Sequence, residues 1–91
     1  MEWKLFADLA EAAGTNEATV ESDAATVQES LDALLADRPE LAERVRTEDG
    51  ELYDHVNVLV NGTDVTPSED GLQTSVGEGD ELALFPPVSG G

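Results

Sequence analysis

Apolar residues recur along this chain with two different periods, and each period predicts its own element. Val27, Leu31, Leu34 and Leu35 fall at i, i+4, i+7 and i+8, so a helix through them carries one apolar stripe. Thr26 and Glu29 stand three apart in front of that stripe as a capping-box pair and mark its start. Pro39 disfavours helical geometry at the residue before it. The main helix should therefore stop near Asp37-Arg38, and Pro39 opens a second short helix with Leu41 and Val45 facing inward and a turn at Asp49-Gly50. Elsewhere the period is two. Trp3-Lys4-Leu5-Phe6 reads as a strand with Trp3 and Leu5 on one face and Lys4 and Phe6 on the other. His55 to Val60 is a β-branched strand with Val56, Val58 and Val60 on one face, closed by a hairpin turn at Asn61-Gly62. Glu81 to Phe85 repeats the pattern, with Leu82 and Leu84 toward the core and Ala83 and Phe85 on the open face.

Between these elements the signals are shorter. Ala7 to Ala13 is helix-prone and ends at Gly14, and Thr19-Val20-Glu21 predicts a short edge strand flanked by charge. Thr63 to Gly71 reads as a loop, followed by a short strand or turn near Leu72. The first and last strands both carry core-facing side chains although the whole domain separates them. They can lie adjacent and parallel at the centre of a mixed sheet, with the main helix across one face. That arrangement is an α+β, β-grasp domain over residues 1–85, with 86–91 as an extended tail.

Composition narrows the function. The net charge of −17, with 21 acidic residues against Lys4, Arg38, Arg44 and Arg46, opposes binding to nucleic acid or an anionic membrane. Acids spread this evenly, with a single lysine, suit a salt-filled halophilic cytoplasm, where screening removes their mutual repulsion. The absence of cysteine excludes disulfides, thiolate metal sites and a cysteine nucleophile. No apolar run is long enough to span a bilayer and no signal peptide opens the chain, so a cytoplasmic protein, monomeric when free, is expected. Asn61-Gly62-Thr63 matches the glycosylation acceptor pattern, but it reads as the hairpin turn.

Candidate chemistry is sparse. His55, the only histidine, lacks the positioned partners that catalysis needs, and Asp49, Glu51 and Asp54 lack the spacing of a calcium loop. No Walker loop, paired-carboxylate motif or serine–histidine arrangement is present, so neither a catalytic site nor a metal site is expected. The tail is different. Pro86, Pro87, Val88, Ser89, Gly90 and Gly91 follow the last strand directly, and fully extended they span at most about 20 Å. The prolines favour an extended path away from the body, and the glycines, having no Cβ, fit a channel too narrow for side chains. This is the form of a handle that delivers the Gly91 carboxylate to a partner's active site. Ionised and a poor electrophile, that carboxylate needs ATP-dependent activation by another enzyme before anything can attack it. Phe85 and Ala83, with Leu59 on the matching face of a neighbouring strand, make a candidate docking surface at the tail root. The alternative for Phe85 is packing under the Thr63–Gly71 loop.

The run Gly79-Asp80-Glu81-Leu82-Ala83-Leu84-Phe85-Pro86-Pro87-Val88-Ser89-Gly90-Gly91 resembles the small archaeal modifier proteins, the haloarchaeal branch of the MoaD/ThiS ubiquitin-like sulfur carriers. The opening Met1 to Glu11 and the segment Asp49 to Leu59 are similar to that family too, so the resemblance covers nearly the whole chain. It implies that an E1-like, MoeB/ThiF-type enzyme adenylates Gly91 at the expense of ATP, no cofactor being bound by the chain itself. It further implies two fates: an isopeptide bond with a lysine of a target protein, or a thiocarboxylate formed from a sulfur donor. The thiocarboxylate would pass sulfur to a molybdopterin precursor in complex with a MoaE-like large subunit. Ubiquitin has arginine where this chain has Pro87, which favours the MoaD-like branch. Lys4 is the candidate acceptor should copies be joined to one another, and the sequence leaves open whether they are. Two further readings stand beside this one: a dedicated small subunit of molybdopterin synthase without protein conjugation, and an acidic binding module whose diglycine is coincidental.

Overall fold

The computed structural model describes residues 1–20, 23–53, 56–66 and 69–85. Five strands form one mixed sheet: β1 (Glu2–Leu5), β2 (Glu17–Thr19), β3 (Asn57–Val60), β4 (Thr63–Asp64) and β5 (Glu81–Phe85), in the order β2-β1-β5-β3-β4. As the shared core pattern of the first and last strands predicts, β1 and β5 pair in parallel, while every other pairing is antiparallel. The helices α1 (Ala7–Ala13), α2 (Val27–Asp37) and α3 (Pro39–Val45) supply the rest of the core. It is a β-grasp fold.

The inward face of the sheet carries Trp3, Leu5, Val58, Leu82 and Leu84, all buried against Val27, Leu31, Leu34 and Leu35 of α2. Leu9 of α1 and Leu41 and Val45 of α3 are buried with them. The start of α2 follows the capping pair. Thr26 Oγ1 accepts from the Glu29 amide, and the Glu29 carboxylate accepts from the Ala25 amide, one residue before the cap. Arg38, ahead of Pro39, is non-helical and separates α2 from α3.

One buried polar contact joins sheet to helix: Trp3 Nε1 donates to Ser30 Oγ at 3.0 Å, with both residues fully buried. Ser30→Ala strands the indole N–H without a partner, which costs about 1–3 kcal/mol. Urea unfolding should show that loss, and Ser30→Ala should cost less in a Trp3→Phe background, where no indole donor is left to be orphaned.

Several boundaries differ from the sequence reading, among them β3, which begins at Asn57 rather than His55 and leaves Val56 outside the strand. The second strand is Glu17–Thr19 rather than Thr19–Glu21, because Ala18 takes the small space opposite Trp3 and Glu17 stands opposite Lys4; Glu21 lies outside the described residues. Phe6 leaves β1 and becomes the extended cap of α1. The expected loop after Gly62 contains β4, formed because Asn61 and Gly62, at φ 50° and 86°, make a two-residue turn that brings Thr63 back onto Val60. Thr66 then closes the hairpin, its Oγ1 accepting from the Val58 amide at 2.6 Å. Near Leu72 the chain makes a single 3₁₀ turn, Gly71–Gln73.

The lysine and all three arginines are already paired with acid: Lys4 with Glu17 and Glu2, Arg38 with Asp37, Arg44 with Asp8, Arg46 with Asp32. The net charge of −17 is spread over 5391 Å² of surface, about one net charge every 18 Å. Molar KCl shortens the screening length from about 10 Å to about 3 Å and removes most of this repulsion. A relief of about 2 kcal/mol would raise Tm by about 10 °C. A melting temperature indifferent to KCl would contradict this account.

The open sheet face at the root of the tail

Because β5 lies between β1 and β3, hydrogen bonding on both sides fixes where its last residue stands. The register sets Lys4, Ala83 and Leu59 in one row across the open face, with Glu17 at one end and Asp64 at the other. Ala83 and Leu59 are half-buried. One step toward the tail, Phe85 stands opposite Asn57. The sequence-predicted docking residues Phe85, Ala83 and Leu59 thus share one face of adjacent strands.

Phe85 has a partner that sequence reasoning missed. Its ring stacks on Phe6, with centroids 4.2 Å apart and planes 6° from parallel. Phe6 remains 39% exposed, and Phe85 is half-buried. Alternation had placed both rings on the open face, but only the parallel register of β1 against β5 brings them together. Just beyond Phe6 the chain turns sharply into α1 through Ala7, whose φ of 52° is unusual for a residue with a Cβ. The aromatic pair therefore sits where the last strand hands over to the tail.

Polar groups anchor the other end of β5. Asn61 Nδ2 donates to Asp80 at 3.0 Å, its Oδ1 accepts from the Glu81 amide at 3.0 Å, and Asp80 also accepts from the Gly77 amide at 2.8 Å. The Asn61 side chain, and after it the Gly77 amide, hold the Asp80 carboxyl below its ordinary range.

Lys4 lies in the middle of the open face, its side chain 35% exposed. Nζ donates to Glu17 Oε1 at 3.1 Å and lies 3.8 Å from Glu2 Oε1. The hydrogen bond and charge of Glu17, with the charges of Glu81 and Glu2, raise its pKa above the ordinary lysine value. His55 and Asp54 lie outside the described residues, as do Pro86, Pro87, Val88, Ser89, Gly90 and Gly91. Among the described residues no group of three acidic or histidine side chains converges as a metal site, and no helix is long and apolar enough to cross a membrane.

A β-grasp domain whose last strand runs into a diglycine tail has the form of the ubiquitin-like carriers, proteins handled by other enzymes. The ThiS family model matches residues 3–91, through the final glycine. Small archaeal modifier protein 1 of Haloferax volcanii is 56% identical over the full length of both chains. A protein of Archaeoglobus fulgidus provisionally described as a sulfur carrier is 36% identical over 87% of this chain and 91% of its own. A crystal structure of the Haloferax volcanii modifier superposes with a TM-score of 0.86 at 54% identity, covering 100% of this chain and 98% of the other. The chain belongs to the ThiS family, as a ubiquitin-like modifier and sulfur carrier rather than a catalyst.

Proposed function

We propose that Gly91 is the working end of this carrier and that an E1-like, MoeB/ThiF-type enzyme adenylates its carboxylate with ATP. The acyl-adenylate makes AMP the leaving group and divides one difficult substitution into two easier ones. A lysine amine of a target protein then displaces AMP to form an isopeptide bond, or a sulfur donor displaces it to leave a thiocarboxylate. The thiocarboxylate supplies sulfur to a molybdopterin precursor held by a MoaE-like large subunit. Phe85, Ala83 and Leu59, joined by Phe6, form the surface by which the activating enzyme and the large subunit hold the domain while the tail enters.

The observation that carries this reading is the family match running through Gly91, together with an aromatic pair at the end of the strand that launches the tail. Incubation with the activating enzyme, ATP and sulfide should give an intact-mass increment equal to replacing one oxygen by sulfur, located at Gly91. An unchanged mass under conditions that adenylate the chain would overturn the sulfur-carrier half of the proposal.

A further inference from the structure

An activated C-terminus is a hazard to its own chain wherever a free amine lies within reach. Lys4 is the chain's only lysine, and β1–β5 pairing sets it directly opposite Ala83, two residues before the last residue of β5. From Phe85 back to that row is about 7 Å along the strand, and Lys4 lies about 5 Å across. The six residues of the tail span up to about 20 Å, so Gly91 can reach Lys4 of its own molecule.

Acylation of Lys4 requires a neutral amine. Its lone pair would form the C–N bond to the Gly91 carbonyl, the bond to AMP would break with its electron pair, and the amine's proton would pass to water. The product would be a closed loop that neither carries sulfur nor modifies anything. In the structure the ammonium is engaged instead: Nζ donates to Glu17 Oε1 at 3.1 Å, Glu2 lies on the same strand at 3.8 Å, and Glu81 faces it from β5. Molar salt screens charges beyond about 3 Å, so in that solvent the direct contact with Glu17 carries most of the effect.

We propose that Glu17 guards Lys4, so that this chain donates its C-terminus to amines of other proteins without being an acceptor for itself. The proposal rests on activation at Gly91. It makes Glu17 a protective residue, and its partners leave the chain as single adducts rather than polymers joined through Lys4. The raised pKa of Lys4 agrees with it, since a more firmly held proton leaves less free amine at neutral pH.

Chemical acylation separates the guard from the activation chemistry. The full chain, its Glu17→Gln and Glu17→Ala variants and an unstructured peptide spanning residues 2–8 are treated with the N-hydroxysuccinimide ester of acetic acid in molar KCl at pH 8. Acetylation of Lys4 is then followed by peptide mass analysis. Lys4 in the folded wild type should react about threefold or more slowly than in the peptide, and both variants should recover most of that rate. Equal rates in wild type and peptide, or no acceleration in either variant, would overturn the proposal. In a second arm, the chain is incubated with the activating enzyme and ATP alone. Wild type should keep Lys4 free, whereas Glu17→Ala should accumulate a product lighter by one water, or a Lys4-linked dimer. Lys4–Gly91 bonds formed as fast in wild type as in the variant would also refute it. If no adenylate forms in either chain, the activation reading fails while the acetylation rates still decide the guard.

Discussion

Removing Gly90 and Gly91 should leave the domain folded and abolish both adenylation and adduct formation. The described core runs to Leu84, and glycine has no side chain to contribute to it, so unfolding should be unchanged within about 0.5 kcal/mol. The truncated chain would end at Ser89, with its carboxylate withdrawn by about 7 Å and a side chain where the narrowest part of the channel expects none. Misplacing a reacting group by even about 1 Å can cost roughly a hundredfold in rate, so a displacement of this size should take activation below detection. ATP–pyrophosphate exchange by the activating enzyme reads the first step, and adduct mass reads the second. Persistent adducts from the truncated chain would place the reactive group elsewhere.

Phe85→Ala should separate stability from binding. Because Phe85 stacks on Phe6 rather than filling the core, its removal forfeits one aromatic contact and part of a half-buried surface, about 1 kcal/mol. A docking anchor that enters a partner's pocket contributes about 2 kcal/mol or more, which is roughly thirtyfold in affinity. The variant should therefore melt only slightly early in molar salt yet bind the activating enzyme and the MoaE-like subunit at least about thirtyfold more weakly. Phe6→Ala should weaken binding as well, since it removes the ring that holds Phe85 in place. Large destabilisation with unaltered affinity would assign Phe85 to the fold and dissolve the docking surface.

Much of the architecture was legible because single side chains announce it. The spacing of Val27, Leu31, Leu34 and Leu35 fixes the buried face of α2, and all four are buried. Alternation in Glu81–Phe85 assigns its two faces, and Leu82 and Leu84 are fully buried while Ala83 and Phe85 are not. What failed were features that depend on partners distant in sequence. The limits of β2 follow from Ala18 fitting beside Trp3 and Glu17 meeting Lys4, neither visible in the local run around Thr19. The two residues of β4 are too few to carry a period, and they form only because the Asn61-Gly62 turn returns the chain to Val60.

At the candidate site the same division holds. That Ala83, Phe85 and Leu59 share an open face could be read from alternation, since each strand's apolar members define the opposite side. The stacking of Phe6 on Phe85 could not, because it requires the register of two strands separated by the whole domain. The ion pair between Lys4 and Glu17 was hidden for the same reason: with β2 placed two residues late, Glu17 fell outside it.

The claim that Gly91 is joined to other proteins is tested most directly on the chain as its own cell makes it. Denatured lysate is enriched for the protein, cleaved after glutamate and sequenced by tandem mass spectrometry. Cleavage after Glu81 leaves Leu82–Gly91 attached to any modified side chain, a remnant long enough to identify its source. The account predicts target lysines bearing this remnant through an amide bond to Gly91, and free chains ending in a thiocarboxylate at the same residue. Recovery of the chain solely with an unmodified Gly91 carboxylate, in cells where the activating enzyme is present, would contradict it.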